Sequence, residues 1–306
     1  MSVESEQSEC RRWRSIADLL EPGAKSPIAF IGAPLNEKAL TPGRCDLAPK
    51  VVRETLKRMS VYDLETATDL GGFIINDLGD LDLKLKTPEE AFAPIQSVVS
   101  KAAYSHDLVI MIGGHNAVTR PGVRALGDLK RVGLLTLDAH FDMRDTDCGL
   151  NNGNPVRALL EDGFPGENIV QVGLQPFANT KRMHDAAKSA GITVKTMSHC
   201  FADGGMQMAV EGLSRLSSRC ETIYVDFDID VIDRSECPGA PGARPGGLAV
   251  REFFAAARAI ATHPKVKVVD LTEFDPSLDI GGTSALTAAR WVAEVLAGYT
   301  ARIGKS

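Results

Sequence analysis

Two short clusters hold the residues most capable of chemistry. Asp138-Ala139-His140-Phe141-Asp142 follows directly on the apolar run 132–137, and Asp226-Phe227-Asp228-Ile229-Asp230 follows Thr222-Ile223-Tyr224-Val225. If the backbone stays extended past the first run, side chains at i, i+2 and i+4 leave the same side, so two carboxylates and an imidazole converge. The second cluster repeats that spacing with three carboxylates. Crowding carboxylates at buried strand ends is costly unless a cation neutralises them, since they would otherwise take up protons. No run of Lys or Arg stands alongside to do so. A mixed carboxylate and imidazole set suits Mn²⁺ and related divalent ions, with Ni²⁺, Co²⁺ and Zn²⁺ open. Two such ions sharing carboxylates would lower the pKa of a bridging water and yield hydroxide near neutral pH, so the expected chemistry is hydrolysis. Taken singly, each cluster could be a solvated loop of helix-capping aspartates. Two of them in one chain, each behind a strand-like run, favour the metal reading.

Positioning these clusters requires a sheet. Apolar runs of strand length recur at 27–31, 73–75, 108–112, 132–137, 169–174, 222–227 and 266–271, separated by stretches of helical spacing at 47–59, 88–104, 121–126, 180–190, 206–216, 250–261 and 284–298. This alternation predicts one α/β domain with a parallel sheet covered by helices on both faces. The runs 108–112 and 132–137 are almost continuously apolar, as strands buried on both faces read, and belong at the sheet centre. Ligands collect at the carboxyl ends of such strands, where both clusters fall. The Pro/Gly-rich stretch 237–247 reads as a loop beside that site. Residues 1–25 have no strand partner in this scheme and are expected to form an N-terminal extension to a catalytic domain at 26–306.

Composition narrows the partners. With 40 acidic against 34 basic residues the net charge is −6, and no basic stripe offers a footprint for nucleic acid. No apolar run approaches the roughly 18 residues a membrane span needs, and residues 1–25 are too polar for a signal peptide, so a cytoplasmic protein is expected. The six cysteines show no CxxC spacing and read as reduced, structural thiols, Cys148 being the one nearest a cluster.

Four ordered motifs across residues 28–298 resemble the ureohydrolase superfamily of arginase, agmatinase, guanidinobutyrase and formimidoylglutamase. They are Gly113-Gly114-His115-Asn116-Ala117-Val118-Thr119, the Asp138 cluster, the Asp226 cluster continuing to Gly246-Gly247-Leu248, and Glu273-Phe274-Asp275-Pro276. The resemblance implies a three-layer domain around a mostly parallel eight-stranded sheet. It implies two divalent ions per chain, Mn²⁺ first and Ni²⁺ second, and a homo-oligomer, trimer or hexamer. Carried over residue by residue, it has Asp138 and Asp228 bridge the metals, His140 and Asp230 complete one, and Asp142 belong to the other. Asp142 would also hold the hydroxide and pass its proton to the departing amine. Glu273 would orient the guanidinium or amidine carbon.

The chain also departs from that pattern. Asn116 stands where the family carries a metal-binding His, and His115 is one residue early. Either His115 reaches the metal through a shifted turn, or Asn116 supplies a weaker oxygen ligand, or that site is weak. Asp226 replaces a small or hydroxyl residue and is expected to add charge to the site. Asn152 replaces the His that arginases and agmatinases hold next to substrate; it can hydrogen-bond but cannot shuttle protons. Arg144 or Arg244 could bind a substrate carboxylate. Phe141, Arg144, Gly173-Leu174-Gln175 and Phe177-Ala178-Asn179 look more like formimidoylglutamase than arginase. The expected activity is hydrolysis of a linear amidine or guanidine C–N bond in a small molecule, formimidoylglutamate-type first. Guanidino acids or agmatine, with release of urea, come second. A degenerate subunit lacking the first-motif His, and needing an active partner chain, is a further alternative. Acetyl-lysine-type deacetylation on a related fold fits less well, because paired Asp138–Asp142 and Asp228–Asp230 suit two metals.

Overall fold

A computed structural model describes residues 13–304. Cys10 and the first twelve residues of the expected extension lie outside the described residues. The chain runs β1 (Leu20–Glu21), β2 (Ile28–Ala33), α1 (Ala48–Leu56), β3 (Tyr62–Asp63), β4 (Thr68–Asp69), β5 (Ile75–Asp80), α2 (Pro88–Ser105), β6 (Leu108–Gly113), α3 (Thr119–Arg124) and β7 (Val132–Leu137). It continues α4 (Pro155–Glu161), β8 (Ile169–Leu174), α5 (Lys181–Ala190), β9 (Thr193–Thr196), α6 (Met197–Asp203), α7 (Gly205–Ser217), β10 (Thr222–Asp228), α8 (Val250–Ala261), β11 (Val266–Thr272) and α9 (Thr283–Ile303).

Among the described residues nine strands form one sheet in the order β1-β5-β2-β6-β11-β10-β7-β8-β9, and every pairing in it is parallel. The count exceeds the expected eight by one. The surplus includes a strand from the segment expected to lack a partner: Leu20 and Glu21 pair with Ile75 and Asn76 of β5. Just before them Ile16 and Leu19 are buried in the main core, so residues 16–21 belong to the body of the domain rather than to an extension. Residues 62–63 and 68–69 form a separate antiparallel hairpin.

Alternation along the central strands divides the core into two layers. Ile28 and Phe30 of β2 and Ile110 and Ile112 of β6 face the layer of α1, α7, α8 and α9. Ala29, Ile31, Val109 and Met111 face α2, α3, α4 and α5. Every residue of β2, β6, β7 and β8 is buried, which is why these strands read as almost continuously apolar. Helix α2 starts at a capping box, in which Thr87 accepts from Glu90 N–H and Glu90 reaches back to Thr87 N–H. Four adjacent strands, β6, β11, β10 and β7, therefore end side by side on one edge of a rigid platform.

Candidate metal centre

The four strand ends deliver the site. Asn116 lies just beyond β6, Asp138 to Asp142 follow β7, Asp228 closes β10 with Asp230 in the next short turn, and Glu273 comes directly after β11. All these carboxylates are buried, whereas the His140 side chain keeps 25% of its surface exposed. The first cluster does not continue the strand as expected. β7 ends at Leu137 and the chain then bends, because His140 N–H donates to Asp138 Oδ1 at 2.6 Å. Asn179 fixes the bend, accepting from Phe141 N–H at 2.8 Å and donating to Ala139 O at 2.9 Å. Asp142 and Glu273 both take left-handed backbone, φ 52° and 61°, which is unfavourable for residues with a Cβ and concentrates at functional sites. Both are held there: Arg157 N–H donates to Asp142 O at 3.1 Å and Glu273 N–H to Gly114 O at 3.0 Å. Gly114 must be glycine, since a Cβ would lie 1.8 Å from Leu35 O.

Asp138, His140 and Asp230 each offer one ligand atom, and the three atoms lie within 4.8 Å of one another. His140 Nδ1 sits 2.9 Å from Asp230 Oδ2. Asp138 Oδ2 is buried with no hydrogen-bond partner, an orphan that a cation would satisfy. Electrostatics agree. The Asp230 carboxylate pushes His140 up to about 12. Burial, reinforced by Asp230, lifts Asp138 to about 6. Burial and the neighbouring acids, Asp138 for Asp142 and Asp230 for Asp228, hold those two carboxyls well above the usual range. Burial also opposes ionisation of Asp230, yet the charge of His140 outweighs it and keeps that carboxyl low. One imidazolium cannot balance four buried aspartates, so the residues fit divalent metal.

On the other half of the site the amide of Asn116 does the bonding. Its Nδ2 donates to Asp142 Oδ2 at 2.7 Å and lies 3.3 Å from Asp228 Oδ2, while its Oδ1 accepts from Thr119 Oγ1 at 2.6 Å. His115 is not brought into this cluster. Its Nε2 is 2.8 Å from Glu37 O, its Nδ1 accepts from Ala117 N–H at 3.3 Å, and burial lowers its pKa to about 4. The shifted turn that would have carried it to the metal is absent, because backbone N–H of His115 and of Gly114 are tied to Leu35 O and Ala33 O. Asp226 pairs across the strands with Asp270, and burial together with that second acid pushes its pKa well up. Thr119, Asn179 and Asp270 support the site without having been assigned a role. Thr119 and Asn179 stand inside the motifs that carry the resemblance, and Asp270 left a signal as an acid inside an apolar strand run.

Glu273 and Asn152 form the facing wall of a cavity of about 350 Å³, with Arg144 at its rim. Glu273 Oε1 accepts from Asn116 N–H at 2.7 Å and Asn152 Nδ2 at 3.0 Å, and burial raises its pKa to about 7. Asn152 Oδ1 accepts from Leu40 N–H at 2.8 Å, tying the β2–α1 loop to this wall. Cys148 is an exposed free thiol that does not line the cavity.

Comparison with known proteins agrees with this geometry. The model of the arginase family matches residues 26–298. A formimidoylglutamase of Halalkalibacterium halodurans is 31% identical over 274 residues, covering 88% of this chain and 86% of that protein. A formimidoylglutamase of Halobacterium salinarum is 32% identical over 260 residues, 82% of this chain and 80% of the relative. The crystal structure of formimidoylglutamase from Bacillus subtilis superposes with a TM-score of 0.89 at 27% identity, covering 98% of this chain and 95% of that one.

Proposed function

Because this chain belongs to the arginase family, we propose that the amidine C–N bond it hydrolyses is that of N-formimidoyl-L-glutamate, giving L-glutamate and formamide. One observation carries the reading: buried Asp138, Asp142, Asp228 and Asp230, with the partly exposed His140, face Glu273 across a cavity whose rim bears arginine. Asp138, His140, Asp142, Asp228 and Asp230 would hold two divalent ions, Mn²⁺ first and Ni²⁺ second. Bound there, the ions supply a Lewis acid and activate water near neutral pH.

The chain's own groups do the rest. Glu273 Oε1 is engaged by Asn116 and Asn152, which leaves Oε2 to accept from an amidinium N–H. An ionised Glu273 beside a positive amidinium supplies both position and charge complementarity. Asp142 can carry a proton to the departing amine nitrogen, a duty that Asn152 cannot perform. Arg144 pairs with a substrate carboxylate. With its amide turned over, Asn116 would offer an oxygen to the second ion. Thr119 Oγ1 would then accept from Nδ2 and has Asp270 Oδ2 at 3.2 Å for its own proton.

The same proposal places the protein in the cytoplasm as a trimer or hexamer. Five of its cysteines are free thiols, in keeping with a reducing compartment. No helix among the described residues is long and apolar enough to cross a membrane. The test is a panel of N-formimidoyl-L-glutamate, 4-guanidinobutanoate, agmatine and arginine, assayed for formamide, urea and ammonia after loading with Mn²⁺ or Ni²⁺. Formamide from the first substrate is expected. Urea from a guanidino compound would move the assignment to the runner-up, and silence with every metal would sink both. Metal analysis of the same samples, at two ions per chain or fewer, reads the role of Asn116.

A further inference from the structure

We infer that Arg144 and Arg244 form a two-point anion clamp over the metal centre, selecting substrates that carry two carboxylates. This deepens the amidine-hydrolase reading and rests on it. Arg144 and Arg244 are the two arginines lining the cavity, and they stand on different walls. Arg144 belongs to the Glu273 and Asn152 side: its N–H donates to Gly153 O at 3.0 Å, and its stem lies over Gly153 so closely that a Cβ there would come 2.8 Å from Arg144 Cδ. Arg244 belongs to the metal side, two residues past Gly242, whose position is pressed against the Asp230 carboxylate and the His140 ring.

Neither guanidinium makes a hydrogen bond or ion pair with the protein among the described residues. The acids that could have neutralised them are committed elsewhere. Asp145, next to Arg144, pairs with Arg182 at 2.7 Å. Asp233, below the Arg244 loop, accepts from Ser235 and from Gly246 and Gly247 N–H. Away from the cavity, Arg53, Arg120 and Arg258 are paired with carboxylates. An arginine left without an anion beside a carboxylate-rich metal site has its five donors free for ligand oxygens. The loop carrying Arg244 is also fixed in place, because Arg234 donates to Ala240 O at 2.9 Å and Pro241 O at 3.2 Å. A substrate with one carboxylate satisfies one guanidinium, whereas an N-formimidoyl dicarboxylic amino acid satisfies both. The clamp thus separates formimidoylglutamate-type substrates from guanidino acids and agmatine within one cavity.

The experiment uses Mn²⁺-loaded enzyme and two probes by calorimetry: L-glutamate, and 4-aminobutanoate, which lacks the α-carboxylate. Wild type should bind glutamate at least about 10-fold more tightly. Arg144→Gln and Arg244→Gln should each weaken glutamate by about 10- to 100-fold, whereas only one of the two should weaken 4-aminobutanoate. Melting temperature should not move in Arg244→Gln, since its side chain holds nothing in the fold, and Arg244→Lys should recover part of the affinity. Glutamate affinity unchanged within twofold in Arg244→Gln, no preference for glutamate in wild type, or no glutamate binding would each overturn the clamp. The two readings fail separately. Binding that follows this pattern without formamide release sinks the hydrolase assignment alone, and formamide release at an unchanged kcat/KM in Arg244→Gln sinks the clamp alone.

Discussion

Glu273 brings a carboxylate into a cavity already lined by acids, and its burial holds the pKa at about 7, well above that of an exposed glutamate. A positive amidinium would stabilise the ionised form as no neutral ligand can. Glu273→Gln keeps an acceptor for Asn116 N–H and Asn152 but removes that charge. We expect kcat/KM to fall about 100-fold or more with little change in melting temperature, because a neutral amide is easier to bury than a carboxylate. Steady-state kinetics alongside a thermal melt check this, and wild-type kcat/KM in the variant would remove Glu273 from the machinery. Asn116 differs in kind. Its amide can donate or accept, so it satisfies Asp142 as found and can offer oxygen when turned.

The elements that matter most to the site are the segments following strands. The loop after β10 passes over the metal ligands so closely that a Cβ on Gly242 would lie 2.1 Å from Asp230 Oδ2. Gly242→Ala must therefore displace either the loop or Asp230. Metal retained after dialysis should drop by about an order of magnitude, in line with the loss seen when groups supporting metal ligands are disturbed. Full retention by elemental analysis would contradict that packing. Away from the site, Asp63 of the β3–β4 hairpin bonds the Thr66 hydroxyl and pairs with Arg258 of α8, which also holds Glu294 of α9. The Thr66 hydroxyl, with the Arg258 guanidinium, lowers Asp63 to about 2. A depressed folded-state pKa stabilises above the unfolded value and is lost as pH falls through the folded one. The stability difference between wild type and Asp63→Asn should thus be full at pH 6 and shrink below about pH 4. Urea unfolding at pH 6, 4 and 3 measures it, and a gap independent of pH would refute the linkage.

At the scale of the molecule, two helical layers bury the central strands on both faces, and the uncompensated charge is gathered at one edge. Metal bound there should stabilise the whole domain by mass action, by about 2.7 kcal/mol at a hundredfold excess over Kd, or a shift in Tm of roughly 4 °C. Removing metal with a chelator should lower Tm by that amount and adding Mn²⁺ back should restore it. A melt indifferent to chelator and to Mn²⁺ would argue against a resident ion. Light scattering after size exclusion, giving three or six chains per particle, would test the assembly state.

Much of this was legible in the amino-acid order alone. β7, β8 and α8 span the residues that the apolar spacing outlines, and the Asp138 and Asp228 clusters stand at strand ends as their spacing requires. A repeating period inside a buried element records which face is covered, and that information is local. Short or polar elements left little trace: β1 has two residues, the four residues of β9 are only half-buried, and α4 and α6 span seven residues each. Where side chains point once a strand has ended was decided only by tertiary structure. The left-handed turns at Asp142 and Glu273, the rotation of Asn116 inward and His115 outward, and the solitude of Arg244 are set by contacts from Gly114, Arg157, Glu37 and Asp233. Those partners lie up to about 160 residues away along the chain, so no local pattern could encode them.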